Sequence, residues 1–192
     1  MDDERTPPTK IRITRLQEAQ LLDLVRIDQA AAEAARDARL DESLIVARTD
    51  VQIASLHRDH DVYVAEADHE VAGYLAWRDE PPKIGVIAIL GVGPAYQRFG
   101  VGSRLLRELG ERCAEAGIAY VVARCPEKAP WARRFLDAMG FAALTDPLPK
   151  PVAEWRDHQT AGDELAKPGE VVLWRAADKL GMKILPGVPL PK

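Results

Sequence analysis

Two hydrophobic patterns alternate along the chain and together predict a mixed α/β structure. Short runs in which apolar residues alternate with polar ones, or follow one another without a break, predict strands. Apolar residues three or four positions apart predict helices. Seven strands are expected, at residues 10–14, 62–66, 71–78, 84–92, 119–123, 141–144 and 171–175. Helices are expected at residues 16–38, 42–56, 101–116 and 129–139.

Polar and proline-bearing segments separate these elements and predict the domain organisation. Residues 1–10 are expected to form a disordered leader, residues 11–176 a single domain, and residues 177–192 a C-terminal tail. The segment 146–169 contains several prolines and polar residues, which predicts a long loop with one helical turn at most. Because connections of that length are usually functional or disordered, we expect a flap on the substrate side or an oligomer contact there.

Charge and hydropathy exclude several classes of protein. A net charge of −4 and a pI near 5.6 give no electrostatic basis for binding nucleic acid. The first eight residues lack the apolar core of a signal peptide. No apolar run approaches the roughly 20 residues that a transmembrane helix needs. We therefore expect a cytoplasmic protein without a membrane or nucleic-acid partner.

The two cysteines, Cys113 and Cys125, do not suggest a metal site, because no Cys-x-x-Cys or His/Cys cluster surrounds them. Both fall in segments with buried patterns. A disulfide between them is left open, but two buried, reduced thiols are favoured.

Residues 90–103, with the sequence LGVGPAYQRFGVGS, are the segment that suggests chemistry. A buried strand ends at Pro94, a short loop follows, and Gly100 and Gly102 lead into an amphipathic helix. The N-terminus of a helix has unpaired N–H groups and partial positive charge, so it suits an anion such as pyrophosphate. Glycine lets the backbone approach phosphate oxygens closely, and Arg98 offers a charge-assisted contact.

Two nucleotide-binding fingerprints fail in this segment. A dinucleotide fingerprint starting at Gly91 and Gly93 would need its third glycine at Tyr96. A P-loop would need Gly-Lys-Ser/Thr, but Gly102 is followed by Ser103 and an arginine. The alternative to an anion site is purely structural: Gly100 and Gly102 would cap the helix and bind no ligand.

Three motifs resemble those of the GCN5-related N-acetyltransferases, the GNAT superfamily. Residues 97–102, QRFGVG, match the signature Gln/Arg-x-x-Gly-x-Gly/Ala. Residues 90–96 match the strand that precedes this signature, and residues 135–141, FLDAMGF, resemble the second motif of the family. The resemblance covers about residues 10–176.

The resemblance implies an α/β (α+β) fold with a mixed, mostly antiparallel central sheet of about seven strands, flanked by helices and splayed between its fourth and fifth strands. It implies acetyl-CoA as cosubstrate, with the pantetheine arm in the split and the pyrophosphate on the amides of residues 98–103. The residues implied to bind it are Leu90, Val92, Gln97, Arg98, Phe99, Gly100, Val101, Gly102, Ser103 and Phe135. For Phe135, core packing is favoured over contact with the coenzyme.

By this resemblance the protein is expected to be an N-acetyltransferase that acetylates a primary amine on a small molecule or peptide, and a homodimer by analogy. Many members offer a glutamate from the fourth strand and a tyrosine from the second motif. Here residues 84–92 contain no ionisable side chain, and Leu136 stands in the place of the tyrosine. No catalytic residue is therefore assigned, and a non-catalytic acyl-CoA-binding module is the alternative.

Several other residues are candidates for proton transfer or substrate binding, and a structural role is favoured for most of them. A solvated loop is favoured for the polar cluster that contains His57 and His60. Charged surface is favoured for Glu66 and for the loop residues Asp79 and Glu80. Tyr96 is the phenol nearest to the glycines, and its side chain is expected at the solvent. For the tryptophans, a pocket and core packing stay open except at Trp131, where packing is favoured.

Overall fold

The computed structural model describes residues 7–162 and 165–182. Its strands are β1 (Ile11–Arg15), β2 (Asp61–Ala67), β3 (Glu70–Glu80), β4 (Ile84–Val92), β5 (Tyr120–Pro126), β6 (Ala142–Ala143) and β7 (Glu170–Ala176). Its helices are α1 (Leu21–Asp37), α2 (Asp50–Asp59), α3 (Val101–Ala116), α4 (Pro130–Ala138) and α5 (Lys150–Gly162). The predicted elements are thus present, apart from the two differences described below.

The seven strands form one sheet in the order β1-β2-β3-β4-β5-β7-β6. Only β4 and β5 run parallel, and every other neighbouring pair is antiparallel. This confirms the predicted mixed, mostly antiparallel sheet of seven strands. The parallel pair is connected through α3, because a parallel connection needs a long crossover.

The sheet opens between β4 and β5, as the resemblance implies. Pairing covers only three residues of each strand and ends with Ile87 opposite Ala123. Beyond that pair, β4 continues to Val92 along β3, and β5 continues along β7. Ala88 is the extra residue of a bulge in β4 against β3, where the register shifts. A bulge bends its strand, so it favours the separation of β4 from β5.

Helices cover both faces of the sheet. The largest core cluster joins α3 and α4 to one face, through residues such as Leu105, Leu109 and Met139. On the other face, α1 and α2 pack on β2 and β3 through Leu24 and Ile53. Beside them, α5 packs on β4, β5 and β7 in a separate cluster.

Capping residues determine where α2 begins and where α3 begins and ends. Helix α3 lies between two left-handed residues, Gly100 and Gly117, so the predicted stop at Gly117 is correct. The prediction that the second helix begins at residue 42 was wrong by eight residues. Thr49 and Gln52 form a capping box that starts α2 at Asp50.

The prediction of a long loop at residues 146–169 was also wrong, because this segment contains α5. Pro151 occupies the first turn of the helix, where a missing N–H costs little. Val152 and Trp155 are fully buried in the cluster below the helix. The Trp155 Nε1–H donates to a Glu80 carboxylate oxygen at 2.8 Å, so α5 is anchored to the end of β3.

Residues 1–6 and 183–192, which belong to the predicted leader and tail, lie outside the described residues. Ala177 and Leu180, just past the predicted domain boundary, are buried in the core cluster of α3.

Cys113 and Cys125 are buried free thiols, as favoured. Burial raises the pKa of Cys113 to about 12 and that of Cys125 to about 11.

Two tryptophans in helices have opposite environments and allow a test of α5. We expect Trp155→Ala to lower the free energy of unfolding by about 3–5 kcal/mol, because it leaves a cavity in the core. Trp131→Ala, at a side chain that is 46% exposed, should change it by less than about 1 kcal/mol. Urea denaturation measures both. Equal effects would contradict the packing of α5 on the sheet.

Candidate functional site

The free edge of β4 presents backbone groups to the split in the sheet. The Gly93 N–H donates to the Ala72 carbonyl of β3 at 2.9 Å. Because backbone groups alternate along a strand, those of Val92 and Leu90 face the other way, toward the split. The Val92 carbonyl accepts a hydrogen bond there from the Gln97 side chain at 3.3 Å. The structure thus places three predicted site residues at one edge.

The loop after β4 has backbone geometry suited to an anion. A 3₁₀ turn, Pro94–Tyr96, is followed by positive φ angles at Arg98 (70°) and Gly100 (81°). Successive turn residues of this kind direct N–H groups into a shared concavity. At Gly100 an added Cβ would meet no atom within 4 Å, so the space above the loop is open.

Helix α3 begins beside this loop without a side-chain cap. The first N–H groups of a helix have no partner within it. Those of Val101, Gly102 and Ser103 are therefore available to a ligand. The macrodipole adds partial positive charge at the same point.

Phe135 of α4 lies against this helix terminus. A Cβ on Gly102 would lie 3.0 Å from the Phe135 Cζ and 3.7 Å from a Val92 methyl. The ring also packs against the main core and is partly buried. Core packing and proximity to the site, weighed as alternatives from the sequence, are thus both observed for Phe135.

Of the remaining predicted site residues, Arg98 is exposed and Phe99 is half-buried. Phe99 and Tyr96 line a cavity of about 270 Å³ next to the loop, together with residues of the β2–β3 turn. The Tyr96 hydroxyl donates to the Glu70 carboxylate, rather than to solvent as expected. This bond raises the pKa of Tyr96 to about 12. Tyr96 is therefore protonated at neutral pH, with its proton engaged.

Trp131 was expected to pack in the core, and that expectation was wrong. Its side chain is 46% exposed at the start of α4, whereas the adjoining Ala129 is buried against Leu40 after α1. Trp131 lies one helical turn before Phe135, and positions four apart share a helix face. Its indole is therefore on the side of α4 that adjoins the α3 terminus.

The positions at which many family members carry the catalytic acid and base hold no ionisable side chain in this chain. Leu136 is buried in the main core. His57 lies exposed in the last turn of α2 and His60 ends that helix, so the solvated loop expected there is a helix terminus. Burial, assisted by the charge of Arg78, lowers the pKa of His60. His60 precedes β2, two strands away from β4.

Glu66 and Glu80 accept hydrogen bonds within the protein, whereas Asp79 is exposed, and both Asp79 and Glu80 belong to β3 rather than to the loop expected there. Glu66 accepts hydrogen bonds from Arg12 and Gln20. Glu80 ends β3 and accepts bonds from Trp155, Gln159 and Arg78. Burial acts to raise the pKa of Glu80, but the bonds from Trp155 and Arg78 outweigh it and the pKa is lowered.

One buried polar cluster was not assigned a role from the sequence. Asp28 of α1 is buried, accepts a bond from the Tyr74 hydroxyl, and accepts from the Arg48 side chain at 2.9 Å and its backbone N–H at 3.1 Å. Burial and the Asp28 charge raise the pKa of Tyr74. The sequence feature that could have revealed this cluster is Asp28 itself, a charged residue within the apolar stripe of a helix. Tyr74 adjoins Gly91, so the cluster holds the α1–α2 segment against the strands beside the split.

Comparison with known proteins identifies the family. The model of the acetyltransferase (GNAT) family matches residues 23–141, more than half of the chain. The chain belongs to this family, which confirms the family and the acyltransferase class predicted from the sequence. A search of curated proteins gave no significant match.

Solved structures agree on the fold. The PaiA N-acetyltransferase of Thermoplasma acidophilum, in complex with coenzyme A, gives a TM-score of 0.66 at 15% identity, over 88% of this chain and 99% of that chain. A GNAT-family acetyltransferase of Staphylococcus aureus Mu50 gives 0.65 at 14% identity, over 88% and 99%. The ribosomal-protein-S18-alanine N-acetyltransferase of Escherichia coli gives 0.60 at 17% identity, over 88% and 94%.

The Tyr96–Glu70 contact gives a testable titration. In Glu70→Gln the pKa of Tyr96 should fall from about 12 toward the ordinary value of about 10, because the carboxylate that accepts its hydrogen bond is removed. Ultraviolet difference titration against the matching Tyr96→Phe variants isolates this group. Glu66→Gln, which removes a carboxylate of β2 that bonds Arg12 and Gln20 instead, is the control and should leave Tyr96 unchanged. A high pKa that persists in Glu70→Gln would contradict the assigned partner.

Proposed function

We propose that the protein transfers the acetyl group of acetyl-CoA to a primary amine. One observation carries the proposal: the free edge of β4 runs directly into an uncapped, glycine-bearing helix terminus. This arrangement offers backbone groups to an amide-containing arm and to a pyrophosphate in succession. Coenzyme A has these two parts in that order, and the related PaiA enzyme was solved with coenzyme A bound.

The pyrophosphate would be held mainly by the backbone. The N–H groups of residues 98–103 would face the open space above Gly100, where the dipole of α3 favours negative charge. Arg98 is exposed at the same loop and would contribute a charged contact. Phe135 closes the side next to Gly102. Because these roles are mostly backbone roles, they depend on the glycines and the loop conformation.

The pantetheine arm would extend along β4 in place of the missing part of β5. Leu90 and Val92 offer one N–H and one carbonyl each, and amide groups of the arm can pair with them as a neighbouring strand would. Gln97, which now donates to the Val92 carbonyl, would release that oxygen to the ligand. The thioester would then lie deeper in the split, near Ala88.

In the reaction the amine nitrogen attacks the thioester carbonyl carbon, and the bond from that carbon to sulfur breaks. The Leu90 N–H, the free β4 donor closer to Ala88, would stabilise the negative charge that develops on the carbonyl oxygen. The amine proton would leave through water, since β4 carries no ionisable side chain and Leu136 is buried. Alignment of two bound reactants can lower the barrier by roughly 7–11 kcal/mol in the best cases.

The location and assembly of the protein remain predictions. No helix in residues 7–162 and 165–182 has the length and apolarity to cross a bilayer. Cytoplasmic location is proposed from the sequence, and a homodimer is proposed by analogy with the family.

Isothermal titration of acetyl-CoA tests the cosubstrate site. Gly102→Glu puts a negative charge where the pyrophosphate would bind, and should weaken binding by at least about 100-fold, or about 2.7 kcal/mol. Gly102→Ala separates the contact with Phe135 from the effect of charge, and should weaken binding less. Ala114→Glu, on the exposed side of α3, is the matched control and should bind as the unmodified protein does.

Two results would count against the proposal. The first is no saturable binding to the folded protein, and the second is equal affinity in Gly102→Glu. Binding without transfer to any amine would instead favour the non-catalytic acyl-CoA module.

A further inference from the structure

An arginine stands where the sheet begins to open. The flanking β5 residues Ala123 and Cys125 are buried, with exposures of 3% and 1%, but Arg124 between them is exposed. Ile87 opposite Ala123 is the last β4–β5 pair, so Ala88 and Arg124 are the next positions on the two strands. Ala88 is exposed as well. Solvent thus reaches the interior of the sheet at this point.

The side chain of Arg124 lies on the face covered by α1 and α5, opposite to α3. Val122, two residues earlier, packs with Trp155 of α5, and residues two apart in a strand share a face. The Arg124 Nε–H donates to the Leu165 carbonyl at 3.0 Å. The proposed pyrophosphate site is at the terminus of α3, so Arg124 faces the side from which a second substrate would approach.

Among residues 7–159 and 165–182, the two terminal nitrogens of Arg124 have no hydrogen-bond or ion-pair partner, since its one bond is made by Nε. Other arginines of the same surroundings are paired: Arg48 binds Asp28, Arg78 binds Glu80, and Arg156 binds Asp146. Glu80 is fully engaged, since Trp155 and Gln159 also donate to it. Arg124 therefore keeps free hydrogen-bond donors beside the split, and its positive charge contributes to lowering the pKa of Glu80.

Just after Leu165, which bonds Arg124, the chain contacts the segment that joins α1 to α2. Lys167 donates from its Nζ to the Ser43 carbonyl at 3.5 Å. A Cβ on Gly169 would lie 3.3 Å from Leu44. The segment that bonds Arg124 through Leu165 thus meets the α1–α2 segment, and this favours a small acceptor over a folded protein.

From this placement we infer that Arg124 is the acceptor-recognition residue and that the acceptor is a small, amino-acid-like amine with a carboxylate. The free guanidinium nitrogens match the two oxygens of a carboxylate in a bidentate pair. Pairing with the guanidinium also offsets the tendency of that carboxylate to raise the pKa of the neighbouring amine, so it disfavours the ammonium form. That effect assists a site in which no side chain of β4 takes the proton. The inference rests on the proposed function.

The test compares acceptors with and without the carboxylate. Acetyl transfer is measured on the full chain with L-amino acids and with the corresponding L-amino acid amides, at saturating acetyl-CoA. The unmodified protein should prefer a subset of the free acids. Arg124→Gln should raise the KM of those acids by about 10–100-fold, as expected for the loss of a hydrogen-bonded charge, and remove the preference over the amides.

Two further variants make the result specific. Arg124→Lys keeps the charge without the planar fork and should restore only part of the preference. Arg26→Gln, at an exposed arginine of α1 that pairs with Asp23, is the control and should not alter the preference. In every variant the KM for acetyl-CoA should stay within about 2-fold, because Arg124 faces away from the α3 terminus.

Each other outcome overturns the inference. Equal transfer to acids and amides, an unchanged preference in Arg124→Gln, or a selective rise in the KM for acetyl-CoA would show that Arg124 does not bind an acceptor carboxylate. Transfer to neither set by a protein that binds acetyl-CoA would exclude this acceptor class. Failure of the proposed function is distinct, since it appears as the absence of acetyl-CoA binding in calorimetry.

Discussion

The parallel pairing of β4 with β5 stops after three residue pairs, and the position of every candidate binding group depends on that early end. Were the pairing continued, the backbone groups of Leu90 and Val92 would be bonded to β5 and unavailable to a ligand. The bulge at Ala88 bends β4 at this point. The opening then leaves half of a strand edge free inside a single sheet.

The chain leads from this edge directly into the second half of the site. Eight residues after Val92, Gly100 begins α3, and the crossover through α3 is what allows β5 to run parallel to β4. One connection therefore serves both purposes: it builds the parallel pair and places a helix terminus at the mouth of the split. Structural neighbours of only 14–17% identity share the fold over 88% of this chain.

The sequence predicted the parts of the fold that follow from short-range chemistry. The apolar run of β4 gave its bounds correctly, and the glycines on either side of α3 marked both ends of that helix. Helix α5 was missed because Pro147, Pro149 and Pro151 lie around its start. These prolines indicate a loop by composition, although a proline in the first turn is compatible with a helix. The helix is stabilised by the burial of Trp155 on the sheet, which local sequence does not reveal.

For the candidate site, the sequence predicted the backbone elements better than the side chains. The stretch 97–103 lies at the open loop and helix terminus, and Phe135 lies beside it. Asp28 and Arg124 were not assigned roles, although each breaks an apolar pattern: Asp28 in the inner stripe of α1, and Arg124 within β5. A charge at such a position has to find a partner or an opening. The sheet order decides which, because it brings Tyr74 to Asp28 and the split to Arg124.

In the proposed binding mode, acetyl-CoA replaces the missing part of β5 along β4 and ends on the α3 terminus. Residue-resolved amide hydrogen exchange, with and without acetyl-CoA, tests this most directly. Binding should slow exchange by at least about 10-fold at Leu90, Val92 and residues 101–103. The Gly93 amide, already bonded to Ala72, should change little. Protection elsewhere on the protein, with these amides unaffected under saturating acetyl-CoA, would contradict the account.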